Sequence, residues 1–170
     1  MNYFRPLYPF LFVLALIVNT TSFFDLGILN GLGQLLLFTF VVCIPIWRTG
    51  RMSYVDIGWP WGLVLLGIIS FLFSDGNQIR SLMVSMVLVL VGLRMGLGAL
   101  KMWYLGLLEK EFPRYQYQRL RWVKEGKKNT GLALQIDAIS QGLANASFLA
   151  LPIFIVASNS APELFALEIL

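Results

Sequence analysis

Five apolar stretches, each close to the length of a bilayer-spanning helix, leave this chain little choice of fold. They lie at about residues 7–23, 28–47, 56–73, 82–103 and 139–157, and a helix needs about 20 apolar residues to cross a hydrocarbon core roughly 30 Å thick. The strands of a membrane barrel are shorter and alternate in polarity, which these runs do not. Composition agrees: 58% of residues are hydrophobic and 13% charged, with a mean hydropathy of +0.74, whereas about a quarter of a soluble domain is charged. The fold class that follows is all-α, a polytopic transmembrane helical bundle of about five spans in a single domain over residues 1–170.

An apolar run behind Arg5 is also how a signal peptide begins, but this one lacks a small-residue cleavage site and passes through NTTSFFDLG into the next span. It is read as a retained first helix. With the N-terminus inside, the basic residues of 104–138 fall on the same side as Arg5, Arg48 and Arg51, and Arg80 alone falls on the other. Because lysine and arginine concentrate on the cytoplasmic side, the expected orientation is N-in, C-out, and 104–138 is a basic cytoplasmic loop. The expected location is a multi-pass position in a bacterial inner membrane. The ending, NSAPELFALEIL, reads as the lead-in to a further helix.

The net charge of +4 belongs to these inner loops and their anionic lipid surroundings, so no nucleic-acid partner is expected. Cys43 is the one cysteine, and histidine is absent. The chain therefore supplies no internal disulfide, no cysteine metal site, no histidine ligand for zinc or haem and no serine–histidine pair. No metal site is expected.

Three polar features need a reason to exist. Arg94 lies about 10 residues before the inner end of its span, roughly 15 Å deep. There it costs at least about 2.5 kcal/mol, so it should face the bundle interior, a wet cavity or a carboxylate; otherwise it snorkels along Gly98 toward Lys101. Asp56 is the acid best placed to meet it, although Ser53-Tyr54-Val55-Asp56 also has the form of a capping box, with serine at the N-cap and the acid three positions on. Trp59 shares a helix face with Asp56, and with Tyr54 and Trp61 it makes either part of a site or an aromatic belt. In the loop, Arg114, Tyr115, Tyr117, Arg119, Arg121 and Trp122 interleave cations with rings. Such a segment either lies in the membrane interface as a short helix or holds a phosphate-bearing cofactor, whose oxygens match guanidinium forks. Glycine pairs four apart, such as Gly92 and Gly96, are read as close helix packing.

SYVDIGWPWG (53–62), GLRMGLGAL (92–100), EFPRYQYQRLRW (111–122) and LPIFIVASN (151–159) together carry a family resemblance. In their order and spacing the chain resembles bacterial and protist membrane proteins related to steroid 5-alpha-reductases, of the domain-of-unknown-function 1295 type. The resemblance implies an NADPH-dependent reductase acting on the double bond of a hydrophobic lipid, such as a sterol-like or isoprenoid enone. Carried onto this chain, it implies Asp56 and Tyr54 as catalytic, substrate-polarising groups, and Arg94, Arg114 and Tyr115 as cofactor contacts. Gly98 stands near where relatives often have histidine, and KMWYLGLLEKEF (101–112) replaces a more compact connection. Related reductases also close on NADPH with a C-terminal segment around a His-Pro-Asn-Tyr-like motif, which this sequence does not contain. The expectation is thus a fragment or short homologue that is not active alone; the alternative is a non-enzymatic bundle that binds membrane lipid, a partner chain or another copy of itself.

Overall fold

The computed structural model describes residues 3–161, and every regular element among them is helical. The expectation of a further helix beginning in NSAPELFALEIL falls on 162–170, outside the described residues. Four helical runs are long and apolar enough to cross a membrane: Thr21–Thr49, Met52–Phe73, Gln78–Tyr104 and Thr130–Ala157. The first apolar run is shorter. It is helical over Arg5–Asn19, about 22 Å at 1.5 Å per residue. It stops where Asn19 and Thr20 fold their side chains back onto the carbonyls of Ala15 and Leu16 and Thr20 turns extended, the local competition with the backbone that such residues offer.

The described residues form eight α-helices, seven within these runs and α6 in the basic loop: α1 Tyr8–Asn19, α2 Phe24–Leu37, α3 Ile44–Thr49, α4 Val55–Phe73, α5 Gln78–Tyr104, α6 Pro113–Lys124, α7 Thr130–Ala146 and α8 Ala150–Ala157. A π-helical segment, Phe38–Cys43, joins α2 to α3 without breaking the run. The ends are set locally. Gly50, with φ of +71°, stops α3, Asn77 caps α5 through the N–H groups of Ile79 and Arg80, and Pro113 opens α6. The last run begins at Thr130 rather than near 139, because the Asn129 side chain accepts the Leu132 N–H at 2.9 Å and Ala133, Leu134 and Ile136 already bury themselves.

Successive runs are antiparallel, so the loops segregate to two ends. At one end lie Arg48, Arg51 and the basic residues of 105–129; the Tyr3 hydroxyl, which accepts the Asn129 N–H at 3.1 Å, brings the start of the chain there too. Arg80 sits at the other end, where it is 2% exposed and donates to the carbonyls of Asn159 and Ala161 at 3.0 and 2.9 Å. It ties the start of α5 to the end of α8.

The core has an apolar cluster toward each end, one around Phe38, Val42, Met52, Val55 and Trp122 and one around Ile17, Leu26, Leu66 and Phe154. Between them lies a layer of fully buried amides. Gln34 donates to the Gly62 carbonyl at 2.8 Å and to Asn30 at 3.2 Å, Asn30 to the Asn145 carbonyl at 3.3 Å, and Asn145 to the Trp59 carbonyl at 3.1 Å. These bonds cross-link α2, α4 and α7, each worth about 0.6–2 kcal/mol in a membrane. Leu36, Phe40, Leu72, Val87 and Leu90 are exposed, an apolar exterior suited to lipid contact.

The tightest helix contact is between α4 and α5. A Cβ on Gly92 would lie 2.7 Å from the Pro60 carbonyl oxygen and 2.7 Å from a Val64 methyl, so only glycine permits this approach. Gly92→Ala is therefore expected to destabilise the bundle by about 1–3 kcal/mol through overpacking. Gly31, whose Cβ would meet nothing within 4 Å, is the control; there alanine should leave stability unchanged or raise it by up to about 1 kcal/mol. Thermal unfolding of the two variants in detergent decides this.

Candidate functional site

Several of the residues singled out in the sequence come together toward the basic end of the bundle, where α6 folds back over the start of α4. α6 is amphipathic in an unusual direction. Its inner face carries Tyr115, Gln118, Arg119 and Trp122, with Trp122 3% exposed among Phe38, Val42 and Met52, while Tyr117, Leu120 and Val123 face outward. Trp122 thus seats the helix in the core, and the polar groups around it are presented to the 50–56 turn.

The organising group is one that the sequence reading did not single out. The Glu111 carboxylate accepts the Met52 N–H at 2.9 Å, the Ser53 hydroxyl at 2.9 Å and the Arg119 guanidinium at 2.7 Å. Arg119 also donates to the Gly50 carbonyl. This overturns the capping box: Ser53 lies in a 3₁₀ turn, Met52–Tyr54, and its buried hydroxyl is committed to Glu111, while α4 starts at Val55 with no side-chain cap. A fixed carboxylate that also satisfies a backbone N–H and a guanidinium outcompetes the local motif.

Asp56 is thereby left free for other contacts. Its Oδ1 accepts from Arg114 and from the Tyr115 hydroxyl, the latter at 3.2 Å, and Arg114 forms an ion pair with it. The Arg114 guanidinium also lies over the Phe112 and Tyr115 rings, at 5.6 and 4.8 Å. Asp56 Oδ2 is buried without a hydrogen-bond partner. Burial, and after it the negative charge of Asp56, pushes the Tyr115 phenol well above its ordinary range, so the hydroxyl stays protonated.

Two cavities meet at this carboxylate. The larger, about 770 Å³, is lined by Asp56, Arg94, Gly98, Met102, Phe112 and Arg114 among others. The smaller, about 210 Å³, lies between α4, α5, α6 and α7 and is lined by Asp56, Trp59, Tyr115 and Gln141 among others. Asp56, Pro60 and Met95 line both. Arg94, an exposed residue of α5, lines the same cavity as Asp56, but the expected Arg94–Asp56 pair does not form. Asp56 is taken by Arg114, and Arg94 has no carboxylate within ion-pair reach among the described residues.

Of the sequence candidates, Asp56, Arg114 and Tyr115 touch one another, and Arg94 shares their larger cavity. Tyr54 does not join them: it lines a separate cleft with Arg48 and Trp103. Trp59 lines the smaller cavity and Trp61 packs over Gly96 of α5, so these two tryptophans are not part of a belt; the exposed rings at this end include Trp47, Trp103, Tyr104 and Tyr117. Glu111 had a faint sequence signal, an acid immediately before the Phe-Pro that opens a basic helix, but its partners lie as far as 59 residues away.

Residues 34–170 match the family described as "Protein of unknown function (DUF1295)", and the chain belongs to that family. It matches no curated protein and no solved structure.

Proposed function

We propose that this membrane protein uses the paired cavities at Asp56 to bind NADPH and the enone head of a hydrophobic lipid, and reduces the lipid's carbon–carbon double bond. The observation that carries the reading is the Asp56 carboxylate itself, joined to a protonated phenol and a guanidinium where two cavities meet toward the basic end of the bundle. The chemistry of the donor set fits one phosphate-bearing group. Arg94 enters the larger cavity with no carboxylate to neutralise it, Arg114 has further N–H groups beyond those held by Asp56, and Phe112 offers a flat apolar wall. Arg94 and Arg114 would hold the cofactor there.

Bound NADPH supplies a hydride for the β-carbon of the enone. The chain's own residues handle the carbonyl and the proton. Tyr115 faces the smaller cavity, and its O–H, which donates to Asp56 in this structure, turns to the substrate carbonyl oxygen as that oxygen gains negative charge. Asp56 keeps its bond to Arg114 and so holds that guanidinium in register. A proton from solvent reaches the α-carbon, completing the addition of one hydride and one proton across the double bond. Trp59 and Pro60 give the smaller cavity apolar walls that limit water around the reacting carbons. Tyr115, rather than Tyr54, is thus assigned the polarising role.

Titration of the purified protein with NADPH, followed by nicotinamide fluorescence, tests this. Saturable binding is expected, and Arg94→Gln should weaken it by about 10- to 150-fold, the equivalent of one lost charge-assisted hydrogen-bonded contact of about 1.5–3 kcal/mol. A folded protein that binds no NADPH, and oxidises none when offered a steroidal or isoprenoid enone, would reduce the cluster to a latch between α4 and α6.

A further inference from the structure

We propose that the cleft between the π-helical segment, α3 and α5 binds a single anionic phospholipid from the surrounding leaflet. The cleft, about 420 Å³, shares no lining residue with the larger Asp56 cavity. Its rim lies at the basic end of the bundle and carries Arg48, Tyr54 and Trp103; its walls below are Phe40, Ile44 and Leu100. Arg48 has no carboxylate within ion-pair reach and the Tyr54 hydroxyl has no hydrogen-bond partner among the described residues. Thr49, by contrast, is satisfied, since its hydroxyl donates to the Pro45 carbonyl at 2.8 Å and accepts the Arg51 N–H at 3.2 Å.

A guanidinium and a phenol offering donors above an apolar slot match the two halves of a phospholipid. From Arg48 down to Phe40 the wall extends about 12 Å at 1.5 Å per residue, enough for the upper half of an acyl chain with the phosphate at the Arg48–Tyr54 rim. Charge selects the class. The rim residues include a cation and no acid, so a headgroup with net negative charge is favoured over a zwitterionic one, whose own cation would lie near Arg48. Guanidinium forks suit phosphate oxygens, and the exposed indole of Trp103 sits where headgroup and chain meet, the usual depth of interfacial aromatics. This also accounts for Tyr54, which the Asp56 cavities leave unused.

Native mass spectrometry of the detergent-purified protein, titrated separately with a phosphatidylglycerol and a phosphatidylcholine of the same chains, tests the proposal. One phosphatidylglycerol is expected to bind in preference. Arg48→Gln should lower its apparent affinity by about fivefold, as loss of one interfacial cation predicts. Tyr54→Phe should lower it by a smaller factor, and Arg121→Gln, a cation of the same end on exposed α6, should not change it. Equal binding of the two lipids, or an Arg48→Gln protein that binds phosphatidylglycerol as wild type does, overturns the proposal. Displacement of the lipid by inorganic phosphate alone would also overturn it, since the apolar slot would then contribute nothing. A measurement on the otherwise unaltered cleft covers the case in which Arg48→Gln fails to fold. Phosphatidylglycerol brominated along its chain should quench a fluorescence component that Trp103→Phe removes, and do so more than brominated phosphatidylcholine; equal quenching refutes the site.

Discussion

Glu111→Ala is expected to be the most destabilising single change at the basic end of the bundle, costing roughly 3–5 kcal/mol. The carboxylate is 11% exposed and satisfies three donors at once: the Met52 N–H, the Ser53 hydroxyl and Arg119. Removing it strands two buried donors, each at about 1–3 kcal/mol, and leaves a half-buried guanidinium with only the Gly50 carbonyl. Replacement by glutamine should recover part of the loss, because an amide oxygen still accepts but carries no charge. The contrast is Glu125→Ala. Glu125 pairs with Arg121 one turn away on the open face of α6 and with Lys127, and such solvent-screened pairs contribute little to stability. Unfolding in a denaturing detergent gives the two stabilities, and proteolysis within 105–129 should accelerate in Glu111→Ala alone, since α6 is what Glu111 docks. If both variants are equally mild, Trp122 burial rather than Glu111 holds α6 in place.

Much of this arrangement is legible in the residues, and what is hidden has a common cause. Apolar length identifies the spans because nothing else satisfies backbone polar groups in hydrocarbon. The ends of the spans are less visible. The stop at Asn19 and the start at Thr130 depend on a few side chains, Asn19 and Thr20 at one and Asn129 at the other, that compete for or complete backbone hydrogen bonds. The π-helical segment at Phe38–Cys43 leaves no mark in the apolar pattern; its Cys43 carbonyl accepts from Gln135 of α7. Asp56, Arg114 and Tyr115 were each conspicuous alone, as a carboxylate among tryptophans and as cations among aromatics. Their grouping rests on the resemblance, because contacts between positions 58 and 59 apart have no local signature. The capping box shows the converse. Ser53 and Asp56 have the right spacing, but the spacing records only what a local bond would gain, and Glu111 offers Ser53 a better one.

Tyr115→Phe separates the two roles open to the Asp56 cluster more cleanly than any other change. It removes one oxygen and leaves the ring, which packs against the Trp122 cluster, so the fold should lose no more than about 1.5 kcal/mol, the net worth of a typical hydrogen bond. If the phenol polarises an enone carbonyl, the turnover number should fall by about 10²- to 10⁴-fold, the usual range for a positioned acid. NADPH affinity should be unchanged, because Tyr115 lines the smaller cavity and not the larger. Alkaline pH gives an independent readout. The folded-state value of the Tyr115 phenol lies above its ordinary 10, through burial first and the Asp56 charge second. The folded protein therefore holds a proton that the unfolded chain releases near pH 10. That contribution to stability is full below pH 10 and is lost as pH rises through the folded value. Wild type should accordingly lose stability more steeply above pH 10 than Tyr115→Phe, whether or not the protein is a reductase. Loss of turnover together with this change in slope would place Tyr115 in the chemistry. The change in slope with turnover intact would leave it as part of the clasp between α4 and α6, with the group that polarises the carbonyl to be sought in the Arg114 N–H donors or solvent.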